Sequence, residues 1–462
     1  LDHHGIQILL FSLMLLGLAR GGTWWGHALA GAAMAASITI GLDAILLVVA
    51  ILGWLGVDWA LGRDENGRGL VRAAAGIAGT ALVLFPLDNA PSQWFAARCD
   101  ANSIVYLSAF LAIAAAFAML AAGTSRLAAA TPAGTFALRL AAGAVLAALV
   151  AGGLFAAFPE CAAGPYGAMS PELRTRWLVN VHEARGLLTM VETVPALWLS
   201  ALAYSLLLVL VGAVVVWRRG SEYPALLAVY ATFVLSVAAM FLQYRALRIG
   251  VFASIPLCVA FAAMSWQWLE RRFASRRIVA GVLQAAIVLV LLSPTWLLAG
   301  TTIFPEAPGA ASAGGGAAGR PGRPDLPQWK REAIGPFCNR QDQFAVLAAL
   351  PKGLVMNDIN SGPSILVFTD HAVIGGPYHR NERAILDMTD FFETDEDNPA
   401  RIARERGIDY VAWCDPGNLD GPGYAGNPAL AARLARGETP DWLQRLSSPD
   451  DRLQVLRVVP QP

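Results

Sequence analysis

Asp2 and His4 stand two residues apart, directly before the apolar run IQILLFSLMLLGLA. A carboxylate and an imidazole at that spacing form a hard-plus-borderline ligand pair, suited to Mg²⁺ or Mn²⁺ bound together with phosphate oxygens. Both side chains reach one ion only where the backbone is not yet helical, which the start of a helix provides. The competing use of the same residues is a polar end cap, with Asp2 as N-cap of the first span. Asp43, in the turn after ITIGL, either adds charge to that metal site or caps a helix. A cation at a lipid–water boundary makes chemical sense if it holds a lipid diphosphate.

Two further groups have the right chemistry. Segment 159–195 is too long and too patterned for a mere connector. Within it SPELRTRWL reads as a capped amphipathic helix that starts at Ser170-Pro171-Glu172. Then comes NVHEARGLL, with His182 and Glu183. A carboxylate held over a membrane cavity accepts a hydrogen bond from an incoming acceptor group, whereas a solvated loop acid is the commoner fate of a single Glu. In FLQYRALRIGVF, Arg245 and Arg248 lie at the ends of two apolar spans. Arginine at that depth snorkels or binds an anion, and a diphosphate is the natural anion for it.

The elements that must position these groups are membrane spans. A chain 56% hydrophobic and 15% charged, with its apolar residues in long runs, is a polytopic membrane protein. Equal numbers of acids and bases, without a basic stripe, give no sign of nucleic acid. Apolar runs predict about ten transmembrane helices, near 5–19, 25–41, 43–61, 72–87, 103–122, 138–158, 196–217, 223–243, 249–267 and 278–298. Around Gly41–Leu42, one kinked helix and two helices joined by a tight turn fit equally well. No basic n-region precedes the first run, so no cleaved signal peptide is expected.

Arginine asymmetry orients the spans. One set of loops holds twelve arginines (Arg20, 63, 68, 72, 126, 139, 218, 219, 271, 272, 276 and 277) and the other six (Arg98, 174, 176, 185, 245 and 248). The richer set is expected inside. The Asp2–His4 end, segment 159–195 and everything past residue 298 then lie outside, or in the periplasm where the membrane is a bacterial inner membrane.

On this reading residues 1–298 form the transmembrane domain, 299–327 a flexible linker rich in Gly, Ala and Pro, and 328–462 a soluble α/β domain. In that domain GLVMN, ILVFT, YVAWC and LQVLRVV read as strands, and QDQFAVLAAL, RNERAILDMTDFF and PARIARERG as helices. Cys258 falls inside a span. Cys99 and Cys161 fall in outside loops, Cys338 and Cys414 in the outside tail. An oxidising compartment makes each pair a disulfide; otherwise they are small buried hydrophobes.

With these motifs the sequence resembles the membrane glycosyltransferases of the GT-C class, and among them the catalytic subunit of oligosaccharyltransferases. Asp2-His3-His4 resembles that family's ligand pair before a transmembrane helix. Asn180-Val181-His182-Glu183 resembles the acceptor-side Glu motif of its large external loop, and Arg245, with Arg248 in reserve, its donor-phosphate arginine. The family's Trp-Trp-Asp motif is absent from the tail, which leaves the acceptor open between protein and glycan. GGPYHRN at Gly375–Asn381 resembles a stretch in bacterial members of the broader group and adds no activity. The resemblance also implies a catalytic Asp in an external loop upstream of Asp2. The chain opens on Leu1, so that loop is expected to precede the residues given.

The resemblance implies transfer of a sugar or glycan from a polyprenyl-phosphate or polyprenyl-diphosphate carrier to an external acceptor. Glu183 would orient the acceptor, with His182 beside it; Arg245 and Arg248 would hold the donor phosphate; Asp2, His4 and Asp43 would hold Mg²⁺ or Mn²⁺. The alternative is a transporter or flippase of lipid-linked saccharide, using the same arginines without chemistry.

Overall fold

The computed structural model describes residues 3–64, 66–167, 169–181, 184–220, 223–243, 246–303, 338–394, 397–414, 429–448 and 451–459. The chain clusters into two compact units. One comprises Leu1–Ala168 and His182–Phe304, the other Met169–Val181 and Pro305–Pro462.

The first unit is helical: α1 (His3–Ala19), α2 (Gly26–Ile40), α3 (Ile45–Ala60), α4 (Arg68–Asp88), α5 (Ile104–Gly123), α6 (Pro132–Ala157), α8 (Leu187–Thr193), α9 (Tyr204–Arg219), α10 (Pro224–Ala239), α11 (Leu247–Arg272), α12 (Arg277–Leu291) and α13 (Ser293–Ile303). The short α7 (Pro171–Arg176) belongs to the second unit. Among the described residues, six helical stretches are long and apolar enough to cross a bilayer. They are Leu42–Ala60, Arg68–Asp88, Ile104–Gly123, Pro132–Ala157, Trp198–Arg219 and Gly250–Arg272. Three others, Gly5–Ala19, Gly26–Ile40 and Ala225–Ala239, are apolar but shorter, so length alone does not give ten spans. This is a multi-pass membrane architecture.

The expected straight span at 278–298 is instead α12 and α13, bent by 71°. Pro294 explains the break, because it has no N–H to continue α12 but is tolerated in the first turn of a new helix. The ambiguity at Gly41 resolves into two helices. Gly41, extended at φ 169° and ψ 166°, breaks the chain before the 3-10 turn Leu42–Ala44.

Small residues set the packing. α2 and α4 run side by side in the same direction, with His27 against Gly69 and Ala28 against Gly76. A Cβ at Gly76 would lie 2.1 Å from the Ala28 carbonyl oxygen, so the two backbones touch only because that residue is Gly. Arg139 of α6 is buried. It donates from Nε to Leu127 O (3.2 Å), from Nη1 to Trp59 O (3.1 Å) and from Nη2 to Thr124 O (3.2 Å). Its guanidinium also lies 5.3 Å from the Trp59 ring centroid. Trp59 lies in the last turn of α3, Thr124 directly after α5 and Leu127 in the loop beyond, so Arg139 ties the ends of both helices to the loop before α6.

The second unit is built on a five-stranded sheet of order β2-β1-β3-β5-β4, with β1 (Leu354–Asn357), β2 (Ala372–Val373), β3 (Tyr410–Cys414), β4 (Leu443–Arg445) and β5 (Leu453–Val458). β1, β2 and β3 are parallel; β5 is antiparallel to β3 and to β4. GLVMN, YVAWC and LQVLRVV are thus strands, as their short apolar runs predict. ILVFT is not. It lies in the helix Gly362–Phe368, with Pro363 in its first turn and Ile365 as its inward residue, while Leu366 and Val367 are exposed. A short apolar run does not distinguish the two states, and here the Ser361-Gly362-Pro363 start decides. The helices Glu382–Glu393 and Asp397–Arg406 appear where the sequence predicts them.

Both cysteine pairs are disulfides. Cys99–Cys161 has its Cα atoms 5.2 Å apart, and Cys338–Cys414 5.8 Å. Cys258 is free and half-buried.

Candidate functional site

One end of the helical unit gathers the described parts of the predicted site. Gln7, one turn into α1 and 3% exposed, donates from Nε2 to Ser37 O (2.9 Å) and Gly41 O (3.0 Å). The Ser37 hydroxyl donates back to Gln7 Oε1. This satisfied buried amide pins the start of α1 to the turn that carries Asp43, which is half-buried. α11 also packs on that turn, and its first turn carries Arg248. Across the same unit, Leu187 N donates to Met240 O at 2.9 Å. A Cβ at Gly186 would stand 2.3 Å from Phe241 O, so the chain just after Glu183 is held against the chain just before Arg245.

His4 lies in the first turn of α1 and Arg248 in that of α11; the described features of both residues are those of their backbone. Asp2, His182, Glu183 and Arg245 lie outside the described residues. Of the proposed metal ligands, Asp43 is placed at the α1-start end, and its carboxylate is a donor that a hard cation accepts. Among the described residues no group of three or more His, Cys, Asp or Glu side chains is arranged to hold a metal ion.

A second polar cluster, at the opposite end of α2, was not visible in the sequence. Asp64 Oδ2 accepts from Gly69 N (2.9 Å) and Leu70 N (3.3 Å), capping α4. His27 lies against Gly69, with its buried Nδ1 unpartnered among the described residues. Arg72 Nη1 donates to Thr23 O (3.0 Å), and Arg63 pairs with Asp58 at 3.7 Å. These residues are scattered from 23 to 72, so no spacing rule announces them.

In the second unit the carboxyl ends of β1 and β3 meet at a topological switch point, where the connections leave in opposite directions. Asp358 sits there. Its Oδ2 accepts from Ser361 Oγ (2.6 Å) and Cys414 N (3.1 Å), its Oδ1 from Asn360 N and Ser361 N (both 3.2 Å). The residue is half-exposed, but its carboxyl group is shut away from water. Burial pushes it above the usual carboxylate range, and the hydrogen bonds only partly oppose this. Residues 169–181 dock in this unit. Ser170 caps α7 as expected, through Leu173 N at 3.1 Å. Ser170 N donates to Glu382 Oε2 (3.3 Å), and Arg176 Nη2 to Asp390 Oδ1 (2.6 Å). Burial works to lower Arg176, but Asp390 and then Glu172 outweigh it and hold the guanidinium above its ordinary value.

No protein-family model matches the sequence, and no curated protein matches it. Solved structures do. An archaeal oligosaccharyltransferase, AglB from Archaeoglobus fulgidus, in complex with an inhibitory peptide and a dolichol-phosphate, superposes with a TM-score of 0.60 at 13% identity. That match covers 96% of this chain and 55% of the other. The apo form of the Archaeoglobus fulgidus oligosaccharyltransferase gives 0.56 at 14% identity, again over 96% and 55%. A form tethered to an acceptor peptide with the NVT sequon gives 0.52 at 15%, over 99% and 57%. The chain thus spans just over half the length of the structures it matches. Over nearly all of its own length, it has the fold of an oligosaccharyltransferase.

Proposed function

We propose that the chain is a membrane glycosyltransferase that moves a sugar or glycan from a polyprenyl-phosphate or polyprenyl-diphosphate carrier to an external acceptor, protein or glycan. The observation that carries this reading is the shared fold, running from the membrane helices into the sheet unit, with a protein whose structure holds a dolichol-phosphate and a peptide. The Asp43 turn, the first turns of α1 and α11, and the Leu187–Met240 contact support it, because they frame one end of the helical unit.

In this reading Arg245, with Arg248 nearby in sequence, bonds the donor phosphate and stabilises the charge that grows on it as the glycosidic bond breaks. Glu183 accepts a hydrogen bond from the acceptor group and orients it toward the sugar carbon, and His182 lines the same approach. Asp2, His4 and Asp43 would hold Mg²⁺ or Mn²⁺, which would supply Lewis-acid neutralisation of the leaving phosphate. The reacting end and the sheet unit lie on the periplasmic side of a bacterial inner membrane.

Reconstituted protein, given polyprenyl-phosphate-linked sugar and a panel of peptide and glycan acceptors, should release polyprenyl phosphate. Glu183→Gln should slow release by roughly 10²–10³-fold, the scale of losing one preorganised polar contact. Arg245→Ala should abolish donor binding, and Arg245→Lys should retain part of it. Saccharide crossing the vesicle membrane with no release of polyprenyl phosphate would replace the transferase with a flippase.

A further inference from the structure

We propose that the sheet unit carries a membrane-docking face, formed by Pro363, Leu366, Val367 and Tyr378 and flanked by Arg380 and Arg383, which rests on the bilayer interface. This goes beyond the transferase reading, and rests only on the chain being a membrane protein.

The face is assembled by GGPYHRN, a motif to which the proposed chemistry gives no role. Gly375 threads between two helices: a Cβ there would meet Met388 Cε at 3.1 Å and Ala384 Cβ at 3.2 Å. One at Gly362 would meet Gly375 O at 2.2 Å. Asn357, fully buried at the end of β1, donates from Nδ2 to Gly375 O (2.8 Å), and Asn381 Nδ2 donates to Ile374 O (3.2 Å). Tyr378 N bonds Gly376 O (2.7 Å) and Asn381 N bonds Tyr378 O (2.8 Å). The loop is therefore braced at its root and across its tip.

What this brace presents to the outside is apolar and cationic. Tyr378 is 61% exposed, and Pro377, Arg380 and Arg383 are exposed. Pro363 lies beside the loop, its Cδ 3.5 Å from a Cβ built on Gly376. Leu366 and Val367 follow Pro363 at i+3 and i+4, hence on the same helix face, and are 55% and 73% exposed. A water-facing surface gains nothing from fixing two aliphatic side chains and a tyrosine outward. A bilayer interface does. Tyrosine has its apolar body and polar tip at headgroup level, aliphatic side chains enter the acyl boundary, and arginine reaches lipid phosphates.

The connectivity keeps lipid within reach. The chain enters this unit from the membrane unit at 168–169, returns at 181–182, and enters again at 304–305. A unit joined three times to a membrane-embedded one meets lipid at raised effective concentration.

The test uses the full chain in liposomes containing anionic lipid. Cys258→Ser removes the free thiol, and a nitroxide is placed at Val367→Cys or, as a reference, at Lys352→Cys, an exposed position on the same unit. Both sites are at the surface, and formation of the Cys338–Cys414 disulfide reports folding. The expected result is a label at 367 several-fold less accessible to an aqueous nickel chelate than one at 352, and more accessible to oxygen. Arg380→Glu with Arg383→Glu should reverse this. Equal chelate accessibility at the two positions overturns the proposal. So does a label at 367 that remains in water and becomes shielded only when a saccharide or peptide acceptor is added, which would assign the face to substrate.

Discussion

In the membrane unit α2 and α4 meet backbone to backbone, whereas in the sheet unit neighbouring elements meet through ladders, ion pairs and a disulfide. The difference follows the solvent. Among lipid tails, helix association has no hydrophobic driving force, so close van der Waals contact between small residues takes over. In water, burying Phe344, Val355 and Val455 is itself favourable, and polar side chains can finish the job at the rim. One chain uses each device where it works.

The largest effect should come from the membrane unit. Gly76→Leu sets a side chain against the Ala28 carbonyl and forces α2 and α4 apart. Overpacking commonly costs about 1–3 kcal/mol, and a clash with backbone belongs at or beyond the top of that range. Gly79 is the control, because a Cβ there meets nothing within 4 Å. Size-exclusion profiles and thermal unfolding in detergent should show Gly76→Leu lost and Gly79→Leu retained. Equal behaviour would remove the close-packing account.

Next in size is the staple of the sheet unit. Cys338→Ser with Cys414→Ser opens a loop of 76 residues, worth about 4 kcal/mol by chain entropy. Limited proteolysis along a urea gradient should show the C-terminal unit cut much earlier. The Cys99→Ser, Cys161→Ser pair should shift the membrane unit less, since lipid already confines its helices. The reverse order would sink the contrast between the units.

The smallest effect is a slope. Because burial raises Asp358, its carboxyl keeps a proton in the native state at pH values where the unfolded chain has lost it. Stability of the sheet unit should therefore fall as pH rises from the ordinary Asp range through the raised value. Asp358→Asn should flatten that slope in pH-dependent urea midpoints. An unchanged slope would assign the effect to other groups.

Long apolar runs revealed the membrane unit, and the strands around Val355, Val411 and Val455 showed in their side chains. The cysteine pairs followed from counting which loops share a side. What stayed hidden depended on contacts between distant residues. The Gly41 turn is decided by Gln7, 34 residues earlier, and the helix at 362–368 by a Ser-Gly-Pro start that outranks its apolar content. Of the candidate site, Asp43 and the starts of α1 and α11 are placed at one end, while Asp2, His182, Glu183 and Arg245 lie outside the described residues.

Arg139 has a consequence for how the protein is made. A guanidinium at the bilayer centre costs about 2.5–3.5 kcal/mol to insert, less toward the ends of a span. The three carbonyls that take it in belong to segments translated before it: Trp59, Thr124 and Leu127 leave the ribosome ahead of Arg139. Its acceptors precede it in the chain, and the guanidinium reaches them only once α6 has docked against the ends of α3 and α5. The polar cost of that arginine is therefore met by neighbouring segments and not by its own helix, which makes α6 a helix that needs its partners to be at home in lipid.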